Sequence, residues 1–342
     1  MKKNIITYLS EGSDYNIIQD IAFGFQKSQL LFTAIKYDVF SLISEGENTL
    51  DKLVAKLDVN KEALERLLNA IVSIDLLDKN GLFYINKSIS EKHLTRNSEE
   101  YYGFLSHYAD LWESWGTLTN VLKTGEIIAS KELHEKNDDF IEYFLHATDW
   151  YNKLELPYIK DLIKMEGVHN FLKIGACGYR YPLYIAEKYP NVPVYILDNE
   201  KMLDVLQKIL KHKKLPDNLN FMSTDSKNEY LEKGNCFEMV YMDSLIDKNS
   251  ILDNINSLQN IYNLVANGGR LLMHFQLIND ARTEPTIAAL QSINLLLNTK
   301  SGSAYTKTDL WVILREAGFG DIQFYNTNIK TNIIEAHKSN IG

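Results

Sequence analysis

The chain has 342 residues, 45% apolar and 24% charged, which is typical of a globular protein with enough length for two cores. Its net charge of −9 disfavours nucleic acid as a partner, because an acidic surface repels phosphate backbones. The two cysteines exclude a disulfide framework beyond one pair. With no signal-peptide pattern and no apolar run of about 18 residues, the sequence predicts a cytoplasmic protein without a membrane partner.

The first hundred residues have the pattern of a winged helix. Residues 15–44 carry apolar side chains at helical spacing. Thr49 is suited to cap a short helix that runs through Leu57, and a second helix follows a turn. Asn80-Gly81, placed between two strand-like runs, is a strong hairpin signal.

A winged helix can read DNA through its second helix, or it can serve as a structural or dimerisation module. The polar residues of that helix are balanced in charge: Lys61, Glu62, Glu65 and Arg66. A balanced face gains little from phosphates, so a structural or dimerisation module is favoured. Residues 98–150 are helical and rich in aromatic side chains, which indicates either helix–helix core or the lining of a pocket for a flat ligand.

From residue 171 onward, strand-like and helix-like segments alternate, and this predicts an α/β doubly wound sheet with parallel strands. Ligands of such sheets bind beyond the carboxyl ends of the strands. The segments that directly follow strands form the expected rim of the pocket: Gly175 to Arg180, Asp198, Thr224 to Ser226 and Asp243 to Asp247.

Two acids at strand ends are candidates for nucleoside binding. Asp198 ends the second strand and could accept hydrogen bonds from both ribose hydroxyls, or it could cap the helix that follows. Asp225 ends the third strand and could meet an adenine amino group, or it could be a solvated loop acid.

The order of segments from about 20 to 335 resembles the class I S-adenosylmethionine-dependent small-molecule O-methyltransferases of the plant or hydroxyindole type. The resemblance is carried by "LWESWGTLTNVLKTGE", "NGGRLLMHFQLINDARTEP" and a C-terminal stretch ending in Ala-Gly-Phe. It implies a homodimer with a mostly helical winged-helix dimerisation domain over 1–100, connecting helices over 101–160 that contribute to a substrate pocket, and a Rossmann-like seven-stranded domain over 161–342.

The family's cofactor motif is altered in this chain. Its pattern of an acid followed by three alternate glycines falls on Lys173, Gly175, Cys177 and Tyr179, with Gly178 shifted by one place. The motif therefore implies S-adenosylmethionine binding that is weakened or lost, with the nucleoside end kept. The cofactor-binding candidates are Gly175, Cys177, Gly178, Tyr179, Asp198, Asp225, Ser226 and Asp243.

The catalytic motif is altered as well. Where the family has Leu-His-Asp-Trp, this chain reads Leu245-Ile246-Asp247-Lys248, so Ile246 holds the position of the base and cannot accept a proton. Asp247, His146 and His274 are the remaining catalytic candidates, and Cys177 is either a nucleophile or a tolerated small residue. The resemblance also implies substrate contacts at Phe144, Trp150 and Asn294.

Three functions remain open from the sequence. The first is an enzyme of this family that acts on a small, aromatic or polyketide-like molecule, by methyl transfer or by other chemistry on the same fold. The second is a catalytically silent homologue that binds a ligand or pairs with an active partner. The third is a winged-helix regulator with a ligand-sensing domain. No metal-ligand spacing is present.

Overall fold

The computed structural model describes residues 14–98, 100–103, 105–127, 137–224, 236–243, 249–327 and 331–339. The chain divides into two compact units, one ending at Leu111 and one beginning at Trp112. This division falls inside the segment 101–160 that was expected to connect the two domains.

The first unit holds helices and a two-stranded hairpin, as the sequence predicted. Thr49 Oγ1 accepts a hydrogen bond from Lys52 N at 3.4 Å, which is the expected helix cap, and Gly81 turns the hairpin at φ +58°. The elements are α1 Asp14–Lys36, α2 Val39–Ser44, α3 Leu50–Leu57, α4 Lys61–Ser73, β1 Leu77–Asn80, β2 Phe83–Asn86 and α5 Ser88–His93, followed by α6 Leu105–Trp115, which continues into the second unit.

The second unit alternates helices and strands. Its helices are α7 Leu118–Thr124, α8 Asp138–Ile159, α9 Arg180–Lys188, α10 Glu200–Leu210, α11 Ile251–Leu264, α12 Thr286–Asn298 and α13 Lys307–Glu316. Its strands are β3 Phe171–Ile174, β4 Val194–Asp198, β5 Leu219–Ser223, β6 Phe237–Asp243, β7 Val265–Phe275, β8 Gly320–Asn326 and β9 Asn332–His337.

These strands form one seven-stranded sheet in the order β5-β4-β3-β6-β7-β9-β8. The pairs from β5 to β7 are parallel, whereas β9 is antiparallel to both β7 and β8. The expected Rossmann-like α/β domain is thus confirmed. The chain order reverses direction across the sheet at β3, so the carboxyl ends of β3, β4 and β6 form the edge where such folds bind ligands.

Apolar cores pack around this sheet, including one that joins Leu172, Val240 and Leu271 with α11 and α13. Another joins α8 and α10 to the loop after β3 through Leu145, Ile196 and Met202. Burial of such side chains supplies most of the stabilisation of the unit. Across the residues that the structure describes, no helix is long and apolar enough to cross a membrane.

Candidate functional site

The loop between β3 and α9 makes a tight turn through two glycines. Gly175 has φ +91° and Gly178 has φ +72°, both in the left-handed region that residues with a Cβ rarely adopt. The amide of Gly175 donates to Leu197 O at 2.8 Å, which fixes the loop against the end of β4. The sequence therefore keeps glycine at the two positions where the backbone conformation requires it.

Gly178 is also the point at which two polar side chains approach the backbone. A Cβ on Gly178 would lie 2.2 Å from Asp243 Oδ2 and 2.7 Å from Asn152 Nδ2, so no larger residue fits here without movement. Asp243 follows β6 and Asn152 lies on α8. The turn thus brings together residues that are far apart in the sequence.

Asp243 is held by the lysine that replaced the family's acid. Lys173 Nζ is fully buried and donates to Asp243 Oδ1 at 2.7 Å, to Ile174 O at 2.8 Å and to Gly175 O at 3.2 Å. The register of β3 and β6 explains the pairing, because Ile174 lies opposite Met242 and Asp243 is the next residue. A buried lysine needs such a partner, since an uncompensated charge is expensive in the interior.

Asp198 lies at the end of β4, as expected, but it does not cap the helix that follows. Asn199 is the cap: its Oδ1 accepts from Met202 N at 3.0 Å. The Asp198 carboxylate instead faces the glycine turn, where Oδ2 accepts from Ala176 N at 2.7 Å and Oδ1 accepts from Asn199 N at 2.7 Å. The capping interpretation of Asp198 is wrong, because the residue one place later has the geometry of a cap.

Helix α8 presents a polar face to this edge of the sheet. Asp149, Asn152 and Glu155 are spaced three residues apart, which places them on one side of the helix. Asp149 Oδ2 pairs with Arg180 Nη2, while Asp149 Oδ1 and Asn152 Nδ2 are buried with no hydrogen-bond partner among the described residues. Buried polar atoms without partners are rare and costly, and they mark places where a ligand or water completes the bonding.

Sequence reasoning missed this polar face. The segment 138–159 was assigned only aromatic residues and one histidine as candidates. The available signal was the spacing of Asp149, Asn152 and Glu155 in a helix whose other residues on that side are apolar, such as Leu145 and Ile159.

Glu155 and His274 lie close enough to the Lys173–Asp243 ion pair to be affected by its charges. Glu155 Oε2 accepts from Tyr181 OH at 3.2 Å and lies 3.6 Å from His274 Nδ1. The pKa of Glu155 is raised to about 7, mainly by burial and in addition by the nearby Asp243 carboxylate, against the hydrogen bond from Tyr181. Burial lowers the pKa of His274 to about 4, so this imidazole is neutral at pH 7.

His274 was a candidate base near the end of β7. The structure places it 6% exposed, with Nε2 2.8 Å from Thr331 Oγ1 and Nδ1 directed toward Glu155. A buried imidazole with both nitrogens next to polar neighbours and a pKa of about 4 is a poor acceptor for a substrate proton at pH 7.

Tyr179 does not block the turn. Its ring is 1% exposed and packs in the apolar cluster with Leu145 and Met202. Burial raises the pKa of the Tyr179 hydroxyl, and the carboxylate of Asp149 adds to this effect. Cys177 is half-buried and packs against the same cluster, as a small apolar residue would.

The other candidates on α8 and α12 have defined surroundings. His146 is exposed, with Nε2 3.7 Å from Glu142 Oε1. The ring of Trp150 meets Tyr151 edge-on, with centroids 5.4 Å apart. Asn294 Oδ1 accepts from Trp115 Nε1 at 3.2 Å and from Asn298 Nδ2 at 3.0 Å. Phe144 is partly buried on α8.

Four candidates lie outside the described residues. Asp225 and Ser226 follow β5, and Ile246 and Asp247 follow β6. Their roles therefore stay predictions. Within the described ranges, no group of three or more His, Cys, Asp or Glu side chains could hold a metal ion.

The arrangement fits a nucleoside-containing ligand with a charged tail. Asp198 offers carboxylate oxygens at the end of β4, next to a turn whose two glycines both have positive φ. Next to the turn, Asp243 Oδ2 offers an acceptor and Asn152 Nδ2 a buried donor without a partner. The site thus brings a hydrogen-bond acceptor and a hydrogen-bond donor together.

Comparison with known proteins supports the assignment of the fold. The chain is 23% identical to the tetracenomycin polyketide synthesis 8-O-methyl transferase TcmO of Streptomyces glaucescens, over 90% of this chain and 91% of that protein. It is 26% identical to acetylserotonin O-methyltransferase of Gallus gallus, over 93% and 96% of the two chains. The structure of human N-acetylserotonin methyltransferase in complex with SAM superposes with a TM-score of 0.82 at 21% identity, covering 97% of this chain and all of that one.

Two family models match consecutive parts of the sequence. The O-methyltransferase dimerisation domain matches residues 19–96, and the O-methyltransferase domain matches residues 127–320. The second match alone covers more than half of the chain and contains the glycine turn, Asp198 and Asp243. The protein therefore belongs to the O-methyltransferase family.

Proposed function

We propose that this protein binds S-adenosylmethionine at the carboxyl ends of β3, β4 and β6 and acts on a small, aromatic or polyketide-like molecule. The observation that carries the proposal is the glycine turn at Gly175 and Gly178, flanked by Asp198 on one side and by Asn152 on the other. When bound, the cofactor supplies an electrophilic methyl group. The relatives named above, among them an acetylserotonin and a polyketide methyltransferase, support a small-molecule acceptor.

Asp198 is proposed to bind the ribose of the nucleoside. Its carboxylate is oriented by the backbone N–H groups of Ala176 and Asn199 and by the side-chain amide of Asn199, at the strand end where such folds bind a ribose. Asp225 and Ser226 are proposed to meet the adenine, as the resemblance implies. The buried position of the Tyr179 ring supports this proposal, since the ring packs in the apolar cluster with Leu145 and Met202.

The first experiment is calorimetric titration of the purified protein with S-adenosylmethionine and with S-adenosylhomocysteine. Micromolar binding of either compound is expected. Asp198→Ala should weaken both by about 1–3 kcal/mol, because buried ligand hydroxyls would lose their partner. If neither compound binds the wild-type protein, the silent homologue becomes the better interpretation and the search should turn to a partner protein.

The reaction is proposed to proceed without a positioned histidine base. Ile246 has no proton-accepting atom, His146 is exposed on α8, and the imidazole of His274 is buried with a lowered pKa. A positioned base typically contributes about 10²- to 10⁴-fold to a rate. What this chain retains is the ability to hold and orient two reactants, which is itself a large part of catalysis.

This absence of a base predicts which acceptors react. A phenol that ionises by itself near neutral pH should be methylated faster than a phenol that needs its proton removed. A series of phenols of graded acidity, assayed at fixed pH, should therefore show rates that rise as the acceptor pKa falls. A rate independent of acceptor acidity would indicate that another group on the protein takes the proton.

Ile246→His tests the position of the missing base. If residue 246 faces the acceptor hydroxyl, as the resemblance implies, the variant should methylate weakly acidic phenols faster, by up to about 10²- to 10⁴-fold. His146→Ala is the matched control and should leave the rate unchanged. An Ile246→His variant that binds the cofactor but gains no rate on any phenol would place the reacting hydroxyl elsewhere.

We also propose that the protein is a homodimer through its first unit. Helix α1 exposes an apolar face at Ile17, Ile18, Ile21 and Phe25, with Ile21 77% exposed, and single chains rarely leave such a face uncovered. Ile21→Glu should yield a monomer in sedimentation analysis. Leu122→Glu, at an exposed leucine outside α1, is the control and should remain dimeric. A monomeric wild-type protein would overturn this assignment.

A further inference from the structure

The first unit contains a cavity of about 460 Å³ between α2, α5 and the segment 95–98. This volume falls in the range of small-molecule sites and is well above the roughly 30 Å³ that one water occupies. The hydroxyl-bearing residues of its lining are Ser41, Ser44, Ser88, Thr95 and Ser98. All of them lie in the first unit, whereas the glycine turn lies in the second.

Two of these hydroxyl groups donate their only proton to Glu91. Ser44 Oγ donates to the carboxylate at Oε1, and Thr95 Oγ1 donates to the backbone carbonyl. The direction of both bonds is fixed, because a carboxylate or a carbonyl oxygen only accepts. A hydroxyl has one hydrogen and two acceptor sites. Ser44 and Thr95 therefore offer a ligand acceptor oxygens and no donor.

Ser41 and Ser98 have also donated their protons within the protein. Ser41 Oγ donates to Asp38 Oδ1 at 2.6 Å, and Ser98 Oγ donates to Lys92 O at 2.5 Å. Each of the two oxygens accepts one backbone N–H as well, at 3.0 Å and 3.2 Å respectively. One acceptor site and no hydrogen is left on each of them.

The cations beside the cavity are paired with carboxylates of their own. Lys92 Nζ lies 2.9 Å from Glu100 Oε2. Arg96 Nε lies 3.1 Å from Asp38 Oδ2. These ion pairs hold the ammonium and the guanidinium groups, so neither group neutralises the lining of the cavity.

The carboxylate of Glu91, by contrast, has only neutral partners. Oε1 accepts from Ser44 Oγ, and Oε2 accepts from Asn86 Nδ2 at 2.7 Å. Among the residues that the structure describes, no cation forms an ion pair with Glu91, since the two nearest are paired elsewhere. A lining of acceptor oxygens with one uncompensated negative charge is complementary to a cation that carries N–H donors.

We propose that this cavity binds a primary alkylammonium group, with Glu91 as the counter-charge and the oxygens of Ser44 and Thr95 as acceptors of its N–H bonds. Three donors on one nitrogen match such a lining, and the volume leaves room for the carbon chain of a small amine. Ser88 and Asn97, which also line the cavity, can accept as well as donate. The inference does not depend on the proposed function, because it concerns a cavity of the other unit.

The test is a titration of the purified protein with 1,4-diaminobutane, followed by ligand-observed NMR at fixed ionic strength. Saturable binding in the millimolar range is expected, because Ser44 and Glu91 are exposed and water offsets part of each interaction. Two matched ligands separate charge from hydrogen bonding. 1,4-Butanediol lacks the charge, and the fully methylated bis-quaternary diamine keeps both charges without any N–H. Each should bind about 10-fold more weakly or less well still.

Two variants locate the site. Ser44→Ala and Glu91→Gln should each weaken the binding of 1,4-diaminobutane about 3- to 10-fold, since an acceptor or the counter-charge is lost. Ser73→Ala is the matched control: its hydroxyl also donates to a carbonyl, Ala70 O at 2.6 Å, but lies outside the cavity, so the affinity should not change. Ser44 is exposed, so the Ser44→Ala protein keeps the core intact and carries the test if Glu91→Gln does not fold.

Unchanged affinity in a folded Ser44→Ala or Glu91→Gln protein would overturn the site. Equal binding of the quaternary diamine would do the same, because it would reveal attraction to an acidic surface without hydrogen bonding. Equal binding of the diol, or displacement of the diamine by an equal concentration of K⁺, would overturn the choice of an ammonium ligand. A wild-type protein that binds no 1,4-diaminobutane would overturn the inference and leave the assignment of the methyltransferase site untouched.

Discussion

The two sides of the glycine turn use carboxylates in different ways. On the β4 side, Asp198 is held by the backbone N–H groups of Ala176 and Asn199, its neighbours in the turn and at the end of the strand, and also by the side-chain amide of Asn199. On the β6 side, Asp243 is held by the side chain of Lys173, which comes from a different strand and lies 70 residues away in sequence. One carboxylate depends on local backbone, the other on a buried ion pair.

This difference determines what each acid contributes to the fold. Loss of Asp198 would leave the amides of Ala176 and Asn199 without this acceptor, and because Asn199 is only partly buried, water can replace part of the bonding there. Loss of Asp243 would leave a lysine charge in the interior, where no water reaches it. Asp243, on the β6 side of the turn, is therefore expected to stabilise the fold more than Asp198, on the β4 side.

The largest effect is expected from breaking the ion pair. Asp243→Asn should lower the free energy of unfolding by about 3–5 kcal/mol, because the buried Lys173 loses its counter-charge. Urea denaturation followed by tryptophan fluorescence measures this effect, since all four tryptophans lie in the unit that begins at Trp112.

The double variant Lys173→Met/Asp243→Asn is the control for that experiment. With neither charge present, most of the loss should be recovered, as is common when a buried pair is replaced by neutral residues. If the single variant is no less stable than the double variant, the ion pair does not support the fold and the comparison with Asp198 fails.

A second effect concerns how stability depends on pH through Glu155 and His274, which lie close to each other near Asp243. The pKa of Glu155 is raised from 4.5 to about 7. Between these pH values the folded state therefore binds more protons than the unfolded state, and the contribution of Glu155 to the free energy of unfolding falls as the pH rises. The pKa of His274 is lowered from 6.5 to about 4, so the unfolded state binds more protons and the contribution rises with pH. Between pH 4.5 and 6.5 the two slopes oppose each other.

Replacing either Glu155 or His274 should reveal the pH dependence of stability that the other residue produces. The free energy of unfolding of Glu155→Gln, measured as the difference from wild type, should rise by roughly 3 kcal/mol between pH 4.5 and 7. The same difference for His274→Gln should fall by roughly 3 kcal/mol between pH 4 and 6.5. Urea denaturation at several pH values measures both. Parallel pH profiles for the two variants would show that the residues do not titrate as their burial implies.

The smallest effect concerns the space over Gly178. Gly178→Ala should destabilise the protein through its positive φ and through overlap with Asp243 and Asn152. Gly167→Ala, at φ +70° with no atom within 4 Å, isolates the backbone strain. We expect Gly178→Ala to cost about 1–3 kcal/mol more than Gly167→Ala in the same denaturation assay. Equal losses would mean that the two side chains move away easily.

Much of the fold could be predicted from the sequence because its signals are local. The alternation of strand-like and helix-like segments from residue 171 onward predicted the doubly wound sheet, and Asn80-Gly81 predicted the hairpin. Thr49 was identified as a cap from its position alone. These features depend on neighbours within a few residues, so a single sequence carries them.

The site was predicted less completely because its contacts are not local. Asp198 was a candidate both for ribose and for a helix cap, and only the backbone geometry assigned the cap to Asn199. The polar face of α8 went unnoticed, since nothing in the segment says which side meets the sheet. Tyr179 falls on a glycine position of the cofactor motif, and only the structure shows that its ring packs in the apolar cluster with Leu145 and Met202.

By itself, the sequence determined the order of strands and helices, the glycine turn and the exchange of an acid for Lys173. Only the tertiary structure decided which carboxylate pairs with this lysine. The register of β3 and β6 places Asp243 beside Lys173, and α8 places Asn152 beside both. A buried ammonium must find a counter-charge to be stable, but which of the chain's 45 acidic residues supplies it depends on packing across the sheet.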